Sequence, residues 1–178
     1  MKDLFPQCGR LRRGYHPGQV DSFFEEARSR YERGELTEEE VRSAAFDLVI
    51  DGYQTGAVDS ALDRLEAAVV RRARAEFVSE QSEDKWMAEA VERATTLYPR
   101  LQRPSGERFR DAKGQGYAKP AVDTLCDQLV TYFETGAGVT AQEVRIATFP
   151  LARGAKAYDE GVVDAFLDRA VEVLLAVE

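Results

Sequence analysis

Residues 34–65 read GELTEEEVRSAAFDLVIDGYQTGAVDSALDRL, and the order of elements in this stretch decides the fold. Thr37 followed by Glu40 is the S/T-x-x-E pattern, in which a hydroxyl caps the helix and the glutamate reaches back to the cap amide. It predicts a short helix of about two to three turns ending near Phe46, too short to stand unless docked on a longer one. The segment DLVID (47–51) reads as extended or looped. Gly52 and Tyr53 follow, and apolar residues then return at helical spacing at Val58, Leu62, Leu65 and Val69.

The same order recurs. GAGVTAQEVRIATF (136–149) carries a second Thr-x-x-Glu (Thr140, Glu143), then Val144 and Phe149, before an extended segment PLARGAKA (150–157) and Tyr158. Four tyrosines, Tyr15, Tyr53, Tyr117 and Tyr158, each precede a Val-Asp by the same interval: Val20-Asp21, Val58-Asp59, Val122-Asp123 and Val163-Asp164. Gly14, Gly52 and Gly116 stand before three of them, Ala157 before the fourth. The first and last pairs of tyrosines lie 38 and 41 residues apart and the middle two 64, so the chain reads as two pairs, a tandem duplication of a two-unit module.

With the residue after each tyrosine as helix N-cap, Tyr is N′ and Val is N4, the two partners of a hydrophobic staple. Pro17 then falls at N1, where its missing N–H costs nothing. Asp159 is a good cap, whereas His16, Gln54 and Ala118 are poor ones. Gln19 stands at N3 of the first helix. The aspartate after each valine lies in the second turn, in the weak positive field of the helix end, and the glycine before each tyrosine suits a turn with unusual backbone angles. The helices offer Val20, Phe23, Phe24, Ala27 and Tyr31; the Val58 series; Val122, Leu125, Leu129, Tyr132 and Phe133; and Val163, Phe166, Leu167, Ala170, Val171, Leu174 and Leu175. One more helix is expected over about 83–98, bounded by the 79–82 break and by Pro99 or Pro104, with Trp86 as a plug between the halves. The expected organisation is therefore a mainly α protein of two modules, 1–78 and 107–178, joined by a helical linker, 79–106, with small two-stranded β ribbons where extended segments pair.

Bulk properties narrow the function. The 178 residues are 44% hydrophobic and 31% charged, with a net charge of −8. Such a chain can bury roughly 70% of its unfolded surface, and its acidity makes it a poor general binder of nucleic acid phosphates. There is no run of eighteen apolar residues and no signal-peptide stretch near Met1, so a cytoplasmic protein with free Cys8 and Cys126 is expected. No metal or cofactor is expected, since His16 is the only histidine and the cysteines are not spaced as ligands. The acidic runs Glu25-Glu26 and Glu38-Glu39-Glu40 read as solvated helix faces, Cys126 as a buried thiol and His16 as a turn residue. The glycines of GERFRDAKGQGY (106–117) lack the strand–Gly–helix order of a phosphate loop. No catalytic residues are expected.

One local feature runs against the acidic average. The segments before the tyrosines are basic: Arg10, Arg12 and Arg13; Arg108, Arg110 and Lys113; Arg153 and Lys156, with the second unit acidic there instead. Leu11 among the arginines is expected in the core, with the arginines shielding exposed strands. The alternative is that Leu11 inserts into an anionic bilayer surface.

LTEEEVRSAAFDLVIDGYQTGAVDSALDRL (36–65) resembles the N-terminal domain of DivIVA, the scaffold of bacterial cell division and polar growth, and the whole chain is similar to DivIVA-domain repeat proteins of actinobacteria. Units two and four carry the full pattern, units one and three its Gly-Tyr-x4-Val-Asp half, and residues 79–106 lie outside it. The resemblance implies a pseudo-dimer within one chain, units one with two and three with four. It implies a non-enzymatic scaffold or adaptor with a protein partner (a DivIVA homologue or itself), weak contact with anionic membrane at its inner face, and no nucleic acid. The candidate contact residues are Arg10, Leu11, Arg12, Arg13 and Arg153, of which the resemblance matches Leu11 with Arg12; the structural motif is Tyr15, Val20, Tyr53, Val58, Tyr117, Val122, Tyr158 and Val163. The alternative is a small-ligand or uncharacterised enzyme site in a cleft between the modules.

Overall fold

A computed structural model describes residues 4–9 and 11–177. The fold is mainly α, with two small antiparallel sheets. The chain divides into two compact units, Met1–Glu76 and Phe77–Glu178.

In the first unit, β1 (Arg13–Tyr15) leads into α1 (Pro17–Arg33), then α2 (Glu38–Arg42), β2 (Leu48–Ile50) and α3 (Thr55–Glu80), whose last turn counts with the second unit. β1 and β2 pair antiparallel, Arg13 opposite Ile50 and Tyr15 opposite Leu48. Tyr15 turns its other edge to Tyr53, each amide bonding the other's carbonyl at 3.0 and 2.8 Å. The two copies of the repeat thus meet back to back. Their helices close over one core of Val20, Tyr53 and Val58, with Phe5, Tyr15, Phe24, Phe46 and Leu62 packed against it. Both staple valines, Val20 and Val58, therefore share one cluster with both tyrosines.

The second unit repeats this plan after two further helices, α4 (Glu83–Thr95) and α5 (Tyr98–Leu101). β3 (Gln115–Ala118) precedes α6 (Lys119–Thr135) and α7 (Ala141–Arg145). β4 (Leu151–Arg153), a single 3-10 turn, β5 (Ala157–Tyr158) and α8 (Glu160–Val177) follow. β3 is central, pairing with β4 on one side and β5 on the other. α8 is buried at every position named from its periodicity, and at Val173 and Ala176 as well.

The helix starts agree with the caps expected from sequence. Both capping boxes form, Thr37 with Glu40 and Thr140 with Glu143, and Asp159 Oδ1 accepts the Val162 amide at 3.2 Å. His16 caps better than its type suggests, because Nδ1 accepts the Gln19 amide at 3.3 Å. Gln19 itself grips Asp47, donating from Nε2 to the carboxylate and accepting the Asp47 amide, both at 2.8 Å.

Five expectations need correction. The capping-box helices are only five residues long, so Phe46 and Phe149 lie beyond them. There the rings pack against the tyrosines instead, Phe46 edge-on to Tyr15 at 5.4 Å and Phe149 tilted against Tyr117 at 5.1 Å. Pro99 ends no helix; it sits in the first turn of α5, where proline lacks nothing. Residues 83–101, expected as part of a linker, belong to the second unit, where α4 packs on α8. Trp86, expected between the halves, lies in that unit's own core against Phe77, Ala90 and Ala176, its Nε1 donating to Ala176 O at 2.7 Å.

The fifth correction concerns the glycines before the tyrosines. Gly14, Gly52 and Gly116 do not adopt left-handed angles. What they lack is room: a Cβ on Gly14 would lie 2.1 Å from Tyr53 O, and on Gly116 2.1 Å from Tyr158 O. Gly116→Ala therefore forces the strands apart and is expected to destabilise by about 1–3 kcal/mol. Gly114→Ala, in open space, is expected to lie within about 0.5 kcal/mol of wild type by urea denaturation.

The first capping box carries a pH signature. The Arg30 guanidinium, 2.6 Å away, together with the Thr37 amide and hydroxyl, lowers Glu40 from 4.5 to about 2. A depressed carboxylate stabilises the fold above its unfolded pKa and loses that contribution as pH falls through the folded one. Stability measured by denaturant titration should fall between about pH 4.5 and 2, and Glu40→Gln should flatten that segment.

Candidate functional site

The phrase Gly-Tyr-x4-Val-Asp acquires its meaning from the pairing of copies. Each tyrosine reaches the aspartate of the other copy. Tyr53 Oη donates to Asp21 Oδ2 at 3.2 Å, and Tyr158 Oη donates to Asp123 Oδ1 at 3.0 Å. In the reverse direction the Asp59 carboxylate neighbours the Tyr15 phenol, and Asp164 the Tyr117 phenol. The aspartates thus do more than face a helix dipole: they are the acceptors that hold the two copies together. Burial, and then the neighbouring carboxylate, raises the pKa of Tyr15 and Tyr117.

A second layer covers two of these phenols. Phe5 lies edge-on to Tyr53 at 5.5 Å and Phe109 edge-on to Tyr158 at 5.1 Å. The residue before each phenylalanine donates its amide to the same phenol, Leu4 to Tyr53 and Arg108 to Tyr158, both at 3.2 Å. Sequence reasoning missed this correspondence because the intervals from Phe5 to Tyr15 and from Phe109 to Tyr117 differ. In the second unit the layer is charged. Arg108 is 6% exposed; it donates to the Asp123 carbonyl at 2.7 Å and pairs with Asp127. Cys126 is buried beside it, and desolvation pushes its thiol up to about 12, which makes it inert as a nucleophile. These groups are spent on structure.

The residues expected to make contact divide differently. Arg10 lies outside the described residues. Leu11, Arg12 and Arg13 come together at the tip of the β1–β2 ribbon, where the Arg12 amide bonds Gly9 O and the Asp51 amide bonds Arg12 O. Asp51 takes a left-handed angle, φ 60°, to turn the chain there. Leu11 is 97% exposed, which overturns its expected place in the core: the turn carries it past the end of the ribbon, away from the apolar cluster. Ile50, opposite Arg13, is 64% exposed. Arg153 is exposed too, but belongs to β4 of the second unit, opposite Gln115. The first tip therefore presents Leu11 and Ile50 among Arg12 and Arg13; the second presents Arg153, with Lys156 exposed three residues on and Lys113 exposed two residues before its strand partner Gln115.

Among the described residues, no group of three His, Cys, Asp or Glu side chains is placed to hold a metal. Two open grooves run beside α6, one lined by Leu125, Gln128, Val139 and Phe149, and the other by Gly106, Lys119, Asp123 and Asp127.

No family model, curated protein or solved structure matches this chain.

Tyr158 tests the reciprocal bonds. Tyr158→Phe strips a charge-assisted hydrogen bond from Asp123 and leaves the Arg108 amide without its acceptor, a loss expected to cost about 1.5–3 kcal/mol. Burial, and then Asp123 against the Arg108 amide, pushes this phenol from 10.0 to about 12. A raised folded pKa gives stability that is complete below pH 10.0 and fades as pH rises towards 12. Denaturant midpoints across that range should fall more steeply for wild type than for Tyr158→Phe.

Proposed function

We propose that this chain is a non-enzymatic scaffold or adaptor related to bacterial cell division or polar growth, acting through protein contacts and through a weak contact of its first ribbon tip with anionic membrane. The observation that carries the membrane contact is Leu11, fully presented beside the exposed Arg12 and Arg13. Leu11 gains nothing from packing where it stands, beside Arg12 and Arg13. A bilayer surface accommodates both, the leucine in the acyl boundary and the guanidinium groups among anionic headgroups. The pairing of repeat copies into pseudo-dimeric units supports the adaptor half of the proposal, as does the resemblance to DivIVA in 36–65. No helix among the described residues is long and apolar enough to cross a membrane, so contact would be at the surface.

The magnitudes make this contact weak. One leucine contributes about 1.5–3 kcal/mol on burial and each arginine about 1 kcal/mol near an anionic leaflet. Together they correspond to roughly millimolar binding, sufficient only when a partner or a second tip adds to it. At low salt the chain should co-sediment with vesicles of phosphatidylserine and phosphatidylcholine and stay in solution with phosphatidylcholine alone. Leu11→Asp and Arg12→Glu should each abolish sedimentation. Failure of the wild type to sediment at low salt removes the membrane from the proposal.

A further inference from the structure

The two ribbons share one architecture, yet their outer strands are finished differently. In β2, Gly14 and Val49 face each other as a bonded pair, and the bonds flanking them, His16 N–H to Asp47 O at 2.8 Å and Asp51 N–H to Arg12 O at 3.1 Å, keep to the same alternation. Antiparallel geometry then turns the N–H and C=O groups of Leu48 and Ile50 away from β1, to the open edge. Among the described residues, none bonds them. Their side chains are 52% and 64% exposed. In the second ribbon, Leu151 stands where Leu48 does, but Arg153 takes the place of Ile50. A charge at an edge is how sheets refuse an added strand. β4 has it and β2 does not.

We infer that the open edge of β2 takes an added strand from a partner protein: an extended segment with apolar residues opposite Leu48 and Ile50 and a lysine or arginine opposite Asp47 and Asp51. This names a partner class for the adaptor proposed above and rests on that reading. Charge selects the occupant. Asp47 and Asp51 are exposed at the two ends of the strand, so a basic flank is attracted at both. A second copy is disfavoured: two β2 strands paired antiparallel about Val49 would set Asp47 against Asp51 of the other copy twice, and like charges directly opposite destabilise a sheet pair. Main-chain bonds supply affinity and the alternate side chains specificity, as in other strand additions.

The test uses the full chain, isotopically labelled, and the peptide acetyl-TKVTVKT-amide, which sets valines opposite Leu48 and Ile50 and lysines opposite Asp47 and Asp51. Titration should shift the Leu48 and Ile50 amide resonances and slow their hydrogen exchange, with weaker binding as salt rises. The TEVTVET peptide should bind at least about tenfold more weakly, the result of two repulsive pairs. Ile50→Arg, which copies the natural finish of β4 and so leaves the fold intact, should lose binding of the lysine peptide, and Leu11→Asp should not. The inference is overturned if Leu48 and Ile50 amides do not respond at millimolar peptide, if the two peptides bind equally, or if the chain alone dimerises with those amides protected. Vesicle sedimentation is scored on the wild-type chain and its Leu11 and Arg12 variants, without peptide, so it does not depend on the Ile50 substitution. Loss of peptide binding with sedimentation intact therefore removes only the added strand, while loss of both removes the adaptor.

Discussion

The phenol of one repeat copy bonded to the carboxylate of the other is the interaction on which the rest of the structure depends. A tyrosine buried without an acceptor, or an aspartate without a donor, would each be costly in a core. Placed opposite one another they satisfy both needs only when two copies meet in antiparallel register. The glycine before the tyrosine is part of the same constraint, because two backbones that cross at 2.1 Å from a hypothetical Cβ leave no space for a side chain. Valine beneath each pair, fully buried at all four positions, closes the core. Each copy alone would expose its tyrosine and leave its aspartate in water, so the phrase has a function only in the plural.

From that shared frame the two units diverge at their margins. The cover over the second phenol is an ionic network built on Arg108, with Asp123 and Asp127 as partners. The corresponding residue in the first unit is Leu4, 60% exposed. The outer strands diverge likewise, Ile50 against Arg153. The core tolerates little variation, because register and volume are fixed by the crossing backbones. The tips and edges are free of that constraint, and they are where a difference in what each unit touches can be written without cost to the fold.

Much of the architecture was legible from local chemistry. The capping boxes, the helix starts after each tyrosine, the extended segments and nearly every buried position on α8 follow from patterns spanning a few residues. The misreadings share a cause. The length of the capping-box helices, the place of Trp86 and the reason for the glycines all depend on what comes close from elsewhere in the chain. Phe46 could have extended a helix by its spacing; it leaves because the Tyr15 and Phe23 rings offer it a better surface at 5.4 and 5.7 Å.

What the sequence determined by itself is the repeat, its pairing into two modules and the order of elements in each, since periodicity and caps act over one or two turns. What only the tertiary structure decided is who meets whom. The bonds from Tyr53 to Asp21 and from Tyr158 to Asp123 join residues 32 and 35 positions apart, and no local pattern specifies such a partner. The exposure of Leu11 and the open edge of β2 are of the same kind: whether an apolar residue is core or surface depends on how the chain turns around it, and the turn at Gly9–Arg12 carries Leu11 out into solvent.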